Sequence, residues 1–362
     1  MKKPDYHNSI LNVSNTLLEH YGVNHDYPSL ACLKPYLIGQ QHIMLILMDG
    51  MGMNILKNLN KNGLLRQHVV KPITSVYPPT TVAATTSVIS GVSPFVHGHV
   101  GWTQYNRFIE ANTVLFLNEN ADKPYEKLSE NFKEVHLKYE TIMSKIQKAN
   151  PKINVRQFMP SFAPNGFDSF KDEVDALIEL SKTEASFSYT YWTEPDLTIH
   201  KSGTKSAVLK ALLFDLENEI KRLYESVSNA TIIVIADHGL IDVKTEPLWS
   251  KTVLLDMLYR KPSIEPRSTA FFVKLDERNA FKKQFKKSFG RKFKLLTKEK
   301  LYQKQWLGTG EKHPLLDDFI GDFMAIAHKK YMFGMNPMKG FNAHHAGIHK
   351  KEMMVPLIVL KK

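Results

Sequence analysis

Several short runs of the chain are apolar at almost every position and end abruptly on polar residues. Residues 43–48 (Ile-Met-Leu-Ile-Leu-Met) stop at Asp49-Gly50, and residues 231–236 (Thr-Ile-Ile-Val-Ile-Ala) stop at Asp237-His238-Gly239. Residues 353–360 (Met-Met-Val-Pro-Leu-Ile-Val-Leu) form a third run, with Pro356 marking an edge or the strand's start, and residues 186–192 (Ser-Phe-Ser-Tyr-Thr-Tyr-Trp) are rich in β formers. Apolar runs of this length without alternation predict strands buried on both faces. Between them the period lengthens. Leu209, Leu212, Leu213, Leu216, Ile220 and Leu223 recur at helical spacing within 204–226, while 52–65 and 80–89 have helical composition and Ser90-Gly91 ends the latter. The alternation predicts an α/β fold, a doubly wound, mostly parallel sheet with helices on both faces, whose site residues lie just past the carboxyl ends of strands.

From about residue 244 to 340 the pattern changes to mixed phenylalanine and lysine, densest between Phe281 and Lys294. This stretch reads as a smaller inserted cap within a single domain covering 1–362. Its lysines are expected on a solvated helix face with the phenylalanines turned inward.

Composition narrows the class. With 362 residues, 43% hydrophobic and 23% charged, disorder, collagen and coiled coil are excluded. A surplus of 48 basic over 36 acidic residues gives a formal charge of +12, which favours an anionic partner. Cys32 is the only cysteine, no apolar run approaches the ~20 residues of a membrane span, and the segment Met1–His7 lacks the apolar stretch of a signal peptide. These features predict a cytoplasmic protein without a membrane partner.

Candidate chemistry sits where the strands end. Asp49 follows the first run, Asp237-His238 follows the run 231–236, Asp196 and His200 are spaced to share one face of a helical turn, and His344-His345 precedes Ala346-Gly347. Each alone is weak, since an aspartate at a strand end is often a helix cap. Together, three aspartates and three histidines supply six ligands, enough for two divalent metals, and mixed imidazole and carboxylate suits zinc, manganese or iron. Paired metals are a common device for phosphoryl transfer. The segment Tyr77-Pro78-Pro79-Thr80-Thr81 adds a hydroxyl at a helix start, where backbone N–H groups and the helix dipole favour an anion, although threonine there is also an ordinary cap.

These motifs resemble the nucleotide pyrophosphatase/phosphodiesterase family of the alkaline phosphatase superfamily. The likeness rests on Met48-Asp49-Gly50-Met51-Gly52, Tyr77-Pro78-Pro79-Thr80-Thr81, Ser90-Gly91-Val92, His97-Gly98, Asp237-His238-Gly239, Gly321-Asp322-Phe323 and Glu352 to Leu357, in the family's order from about residue 43 to the C-terminus. The resemblance implies the alkaline-phosphatase-like fold and one zinc held by Asp196, His200 and His345. It implies a second held by Asp49, Asp237, His238 and the nucleophile, which it places at Thr81 rather than Thr80. It also prefers His345 to His344, because two small residues follow it. The implied activity is hydrolysis of a phosphodiester or pyrophosphate bond in a small phosphoester or nucleotide, through a phosphothreonine intermediate. One departure bears on substrate: where nucleotide-hydrolysing members place an asparagine about twenty residues after the nucleophile, this chain has Val100-Gly101-Trp102.

A phosphomonoesterase or phosphonate hydrolase would share these metals and this nucleophile. A sulfatase is excluded, because Cys32 lies in Cys-Leu-Lys-Pro-Tyr rather than the required Cys-x-Pro-x-Arg context. A basic nucleic-acid-binding protein is the alternative from a different class, but no binding module is recognisable and no specific nucleic-acid partner is expected. Among the other conspicuous residues, His97 and His99 are expected to cap turns, Trp102 and Tyr105 to fill core, Arg267 to be exposed, and Asp317, Asp318 and Asp322 to serve in turns and a helix cap.

Overall fold

In the computed structural model, which describes residues 1–123, 125–337 and 340–362, the four predicted strands lie in one six-stranded sheet. Its order is Val69–Thr74, Met354–Lys361, Ala230–Ile235, His42–Met48, Ser186–Trp192 and Asn154–Phe158. His42–Met48 is central, runs parallel to both neighbours and is buried at every position, as its unbroken apolar sequence requires. Met48 lies opposite Trp192 and Leu47 opposite Ile235, so the chain leaves all three strands along one edge of the sheet. Asp49, Asp196 and Asp237 follow on that edge. The fold is α/β, as predicted.

Met354–Lys361 runs antiparallel to both of its neighbours and is not an edge strand. Pro356 faces Pro72 of the true edge strand, and pairing with Ala230–Ile235 begins only at Leu357, so the missing proline N–H costs the inner ladder nothing. The helix predicted over 52–65 is instead two single turns, Met53–Leu56 and Leu64–Gln67. Asn58, Asn60, Asn62 and Gly63 lie between them, and these residues favour turns over helix.

The helix Thr81–Ser90 begins at the N-cap Thr80 and ends at Gly91, whose φ of +75° supplies the left-handed cap. The buried N-terminal helix Ile10–His20 holds it in place, Ser14 donating to the Val88 carbonyl at 2.7 Å and Asn15 to that of Gly91 at 3.0 Å. A second, seven-stranded sheet combines five-residue and longer strands from 258–327 with short strands from 103–120. Against it, the helix Arg278–Phe289 buries Phe281, Phe285 and Phe289 and leaves its lysines outside, as its Phe/Lys spacing predicts. Among the described residues no helix is long and apolar enough to cross a membrane.

Candidate active site

The loops at the sheet edge are bound to one another by backbone N–H groups that donate to a side-chain carboxylate and to a backbone carbonyl. The N–H groups of Gly50 and His238 both donate to Oδ1 of Asp237 at 2.9 Å, and the Asp196 N–H donates to the Asp49 carbonyl at 3.0 Å. Gly50 has a φ of +75°, and a Cβ there would lie 2.9 Å from that of Asp196, so only glycine lets these two loops close. Asp196 and His200 lie one turn apart on the helix Asp196–Ser202, which sets His200 Nε2 3.2 Å from Asp196 Oδ2. His200 Nδ1 meets the Ala343 carbonyl at 2.8 Å, which ties this helix to the segment carrying His344 and His345.

All seven predicted site residues converge here. Asp49, Asp237 and His238 form one group and Asp196, His238 and His345 another, the ligand atoms of each group lying within 4.8 Å of one another. His238 belongs to both, with its Nε2 3.2 Å from Asp237 Oδ2 and 3.4 Å from Asp49 Oδ1, while its ring stacks on His345 with centroids 3.9 Å apart. Between the two candidate hydroxyls the geometry separates clearly. Thr81 Oγ1 lies 3.2 Å from both Asp49 Oδ2 and His238 Nε2, whereas Thr80 Oγ1 donates away from them to Glu265 Oε1 at 2.6 Å. His345 Nε2 lies 4.0 Å from Asp196 Oδ1, while His344 meets His200 edge-on.

The electrostatics follow from burial and from the crowding of carboxylates and imidazoles. Burial, then the charges of Asp237 and Asp196, push the Asp49 carboxyl well above its ordinary range, and burial raises Asp237 as well. Burial alone would lower His200, but the adjacent Asp196 carboxylate outweighs it and the net direction is upward. Burial, with His238, His344 and His200 beside it, holds His345 well below its usual range and therefore neutral. Asp196 Oδ1 and Asp237 Oδ2 are buried without a hydrogen-bond partner among the described residues, and the Nε2 atoms of His238 and His345 face the same carboxylates. Stripping water from such atoms without replacement is costly, and divalent cations bound by carboxylate and neutral imidazole would satisfy this donor set.

The structure adds residues that the sequence reading missed. Tyr191, in the strand beside Asp49, donates to its Oδ2 at 2.5 Å. Arg267 is not exposed: it is fully buried in a two-pronged pair with Glu352, Nε to Oε1 and Nη2 to Oε2, each at 2.7 Å. Glu352 in turn accepts from the Gly347 N–H at 2.7 Å, two residues after His345. Ser268 donates to the Ala346 carbonyl at 2.5 Å, where the backbone is held at a φ of +81° that non-glycine residues rarely adopt. Trp102 does not fill core either, being 40% exposed. His97 and His99 lie in a buried network with Ser87, and Asp317, Asp318 and Asp322 pair with lysine or arginine at the surface, all outside the site as expected.

A model of the type I phosphodiesterase/nucleotide pyrophosphatase family matches residues 43–351. The chain belongs to that family. Membership makes it a phosphoester hydrolase of a metal-dependent family, and the two clusters above are candidate metal-ligand groups. The fold is shared by murine ectonucleotide pyrophosphatase/phosphodiesterase 5, solved as an inactive threonine-to-alanine variant with AMP, at 16% identity over 87% of each chain and a TM-score of 0.63. It is shared also by the human form of that protein, at 14% identity over 88% of this chain and 87% of the other, with a TM-score of 0.65. Phosphonoacetate hydrolase from Sinorhizobium meliloti, solved with phosphonoformate, matches at 14% identity over 89% and 91%, with a TM-score of 0.64.

Proposed function

We propose that the chain hydrolyses the phosphodiester or pyrophosphate bond of a small-molecule phosphoester or nucleotide, with Thr81 as nucleophile at a site for two divalent metals. Zinc is the first choice, with manganese and iron as alternatives. Asp196, His200 and His345 would hold one ion, and Asp49, Asp237, His238 and Thr81 the other, with His238 near enough to Asp196 and His345 to face both. Bound there, the ions would supply positive charge that acidifies the Thr81 hydroxyl and steadies negative charge on the phosphoryl and leaving oxygens.

The observation that carries this reading is the position of Thr81 Oγ1, 3.2 Å from both Asp49 Oδ2 and His238 Nε2 at the first residue of a helix. Two acceptors for the hydroxyl proton are thus in reach, and the helix N-terminus offers backbone N–H groups and a favourable dipole to the phosphoryl group. Thr81 Oγ1 attacks phosphorus as the opposite P–O bond breaks, giving phosphothreonine. Water then attacks the same phosphorus and restores the hydroxyl. The inactive threonine-to-alanine form of the murine relative and its AMP complex support this reading. The phosphonoformate complex of the Sinorhizobium enzyme favours a second one, hydrolysis of a phosphonate with the same nucleophile.

Thr81→Ala tests the nucleophile. With zinc supplied, turnover of bis(p-nitrophenyl) phosphate is expected to fall at least about 10³-fold while bound metal is retained; activity near that of the parent would refute the assignment. Parallel assays with p-nitrophenyl phosphate and phosphonoacetate separate diester from monoester and phosphonate preference.

A further inference from the structure

Glu265 is a buried carboxylate that no motif pointed to, and it lies against the nucleophile segment. Two hydrogen bonds fall on its Oε1: the Thr80 hydroxyl donates at 2.6 Å and the Trp102 N–H at 2.8 Å. Thr80 is the N-cap of the helix that begins with Thr81, and its carbonyl accepts the Ala84 N–H at 2.9 Å. An N-cap side chain ordinarily turns back to its own helix, but this one makes no cap bond and points to Glu265 instead. Its rotamer, and with it the entry of the chain into Thr81, is therefore set from outside the helix.

The surroundings show that this contact is built at a cost. Ile264, just before Glu265, is held at a φ of +79°, a strained conformation for a β-branched residue that persists only where the surroundings enforce it. Gly101, just before Trp102, runs so close that a Cβ there would lie 2.5 Å from the Ile264 side chain and 3.0 Å from its carbonyl oxygen. Only glycine allows the Trp102 N–H to reach Glu265. The same turn also carries Ser268, which bonds the Tyr77 hydroxyl at 3.0 Å and the Ala346 carbonyl at 2.5 Å, and so ties the segment leading to Thr81 to the residue after His345.

We propose that Glu265 is a positioning residue that fixes Thr81 for in-line attack by clamping Thr80 to the 101–102 backbone. The proposal rests on Thr81 being the nucleophile. Glu265 need only present an acceptor oxygen, so Glu265→Gln retains the clamp through its amide oxygen whereas Glu265→Ala abolishes it. Thr80→Val removes the donor at nearly constant shape.

The test is steady-state kinetics of the zinc-loaded enzyme on bis(p-nitrophenyl) phosphate. Glu265→Ala and Thr80→Val are each expected to lower kcat by about 10- to 100-fold with KM changed less than about 3-fold, the penalty for a slightly misplaced reacting group. Glu265→Gln should stay within about 3-fold of the parent, and the Thr80→Val/Glu265→Ala double variant should be no slower than the slower single one. If Glu265→Ala fails to fold, Thr80→Val and Glu265→Gln still decide the matter. Parent-like kcat in Thr80→Val, or loss in Glu265→Gln equal to that in Glu265→Ala, overturns the clamp. Should Thr81→Ala prove active, the nucleophile assignment itself fails; an inactive Thr81→Ala beside a fully active Thr80→Val sinks only the clamp.

Discussion

The phenol of Tyr191 donates to Oδ2 of Asp49 at 2.5 Å, with both groups buried and both on neighbouring parallel strands or their ends. The bond favours the charged form of a carboxylate whose burial and acidic neighbours oppose it. It also fixes which way the remaining Asp49 oxygen faces. Tyr191→Phe removes that donor and keeps the ring. Zinc affinity, measured by chelator competition, should fall about 10- to 100-fold, the usual effect of losing a hydrogen bond to a ligand. Unchanged affinity would show that packing alone orients Asp49.

Glu173 offers a pH dependence remote from the metal ligands in sequence. It lies in the helix Phe170–Leu180, fully buried, with neither carboxylate oxygen hydrogen-bonded among the described residues, and burial pushes its pKa from 4.5 up to about 8. Between those values the folded chain keeps a proton that the unfolded chain has released, so this group makes stability fall as pH rises, by up to about 1.4 kcal/mol per unit. Glu173→Gln should remove that slope and be the more stable protein at pH 8, with little difference at pH 4.5. Urea midpoints that run parallel for the two proteins across this range would rule out the titration.

Asp49 and Asp237 were legible as candidate ligands because each ends a run of nearly continuous apolar residues, and such runs announce buried parallel strands whose ends face one way. The resemblance in motif order preferred Thr81 to Thr80 and His345 to His344; Thr81 Oγ1 lies 3.2 Å from Asp49 Oδ2 and His345 Nε2 4.0 Å from Asp196 Oδ1. Glu265, Tyr191 and Arg267 gave no comparable signal. Each acts through contacts between residues far apart in the chain, 142 apart for Tyr191 and Asp49 and 185 apart for Glu265 and Thr80. Arg267 was misread because an arginine flanked by Pro266 and Ser268 looks like a surface turn, and only the position of Glu352, 85 residues on, shows that the charge is buried and paired. The broken helix at 57–63 failed for a local reason, its asparagines outweighing its apolar spacing.

That Arg267–Glu352 pair holds the loop after His345. Arg267 also donates to the carbonyls of Tyr331 at 2.5 Å and Lys329 at 3.0 Å, and the Gly347 N–H, donating to Glu352, completes the brace. Removing one partner leaves a charge buried and unpaired, so Glu352→Ala should destabilise the protein by about 3–5 kcal/mol in urea denaturation. Replacing both, as Arg267→Met with Glu352→Leu, should cost less than the single change. A double variant at least as unstable as Glu352→Ala would mean that the hydrogen bonds to the loop, rather than the unpaired charge, dominate.

Metal loading should reverse the pH response of the site. In the metal-free protein Asp49 and Asp237 bind protons more tightly than their ordinary value of 3.8 allows, so the folded state holds protons that the unfolded state has lost and stability falls as pH rises above that value. A cation needs these carboxyls ionised and the histidines neutral, so its stabilisation grows with pH. The gain in melting temperature on adding zinc to chelator-treated protein should therefore be larger at pH 8 than at pH 5.5. At a free zinc concentration 100 times Kd the stabilisation reaches about 2.7 kcal/mol. Asp49→Asn should lose most of the gain at pH 8, because it removes a ligand from the cluster that also holds Asp237 and His238. Zinc that stabilises parent and variant equally would place the metal elsewhere.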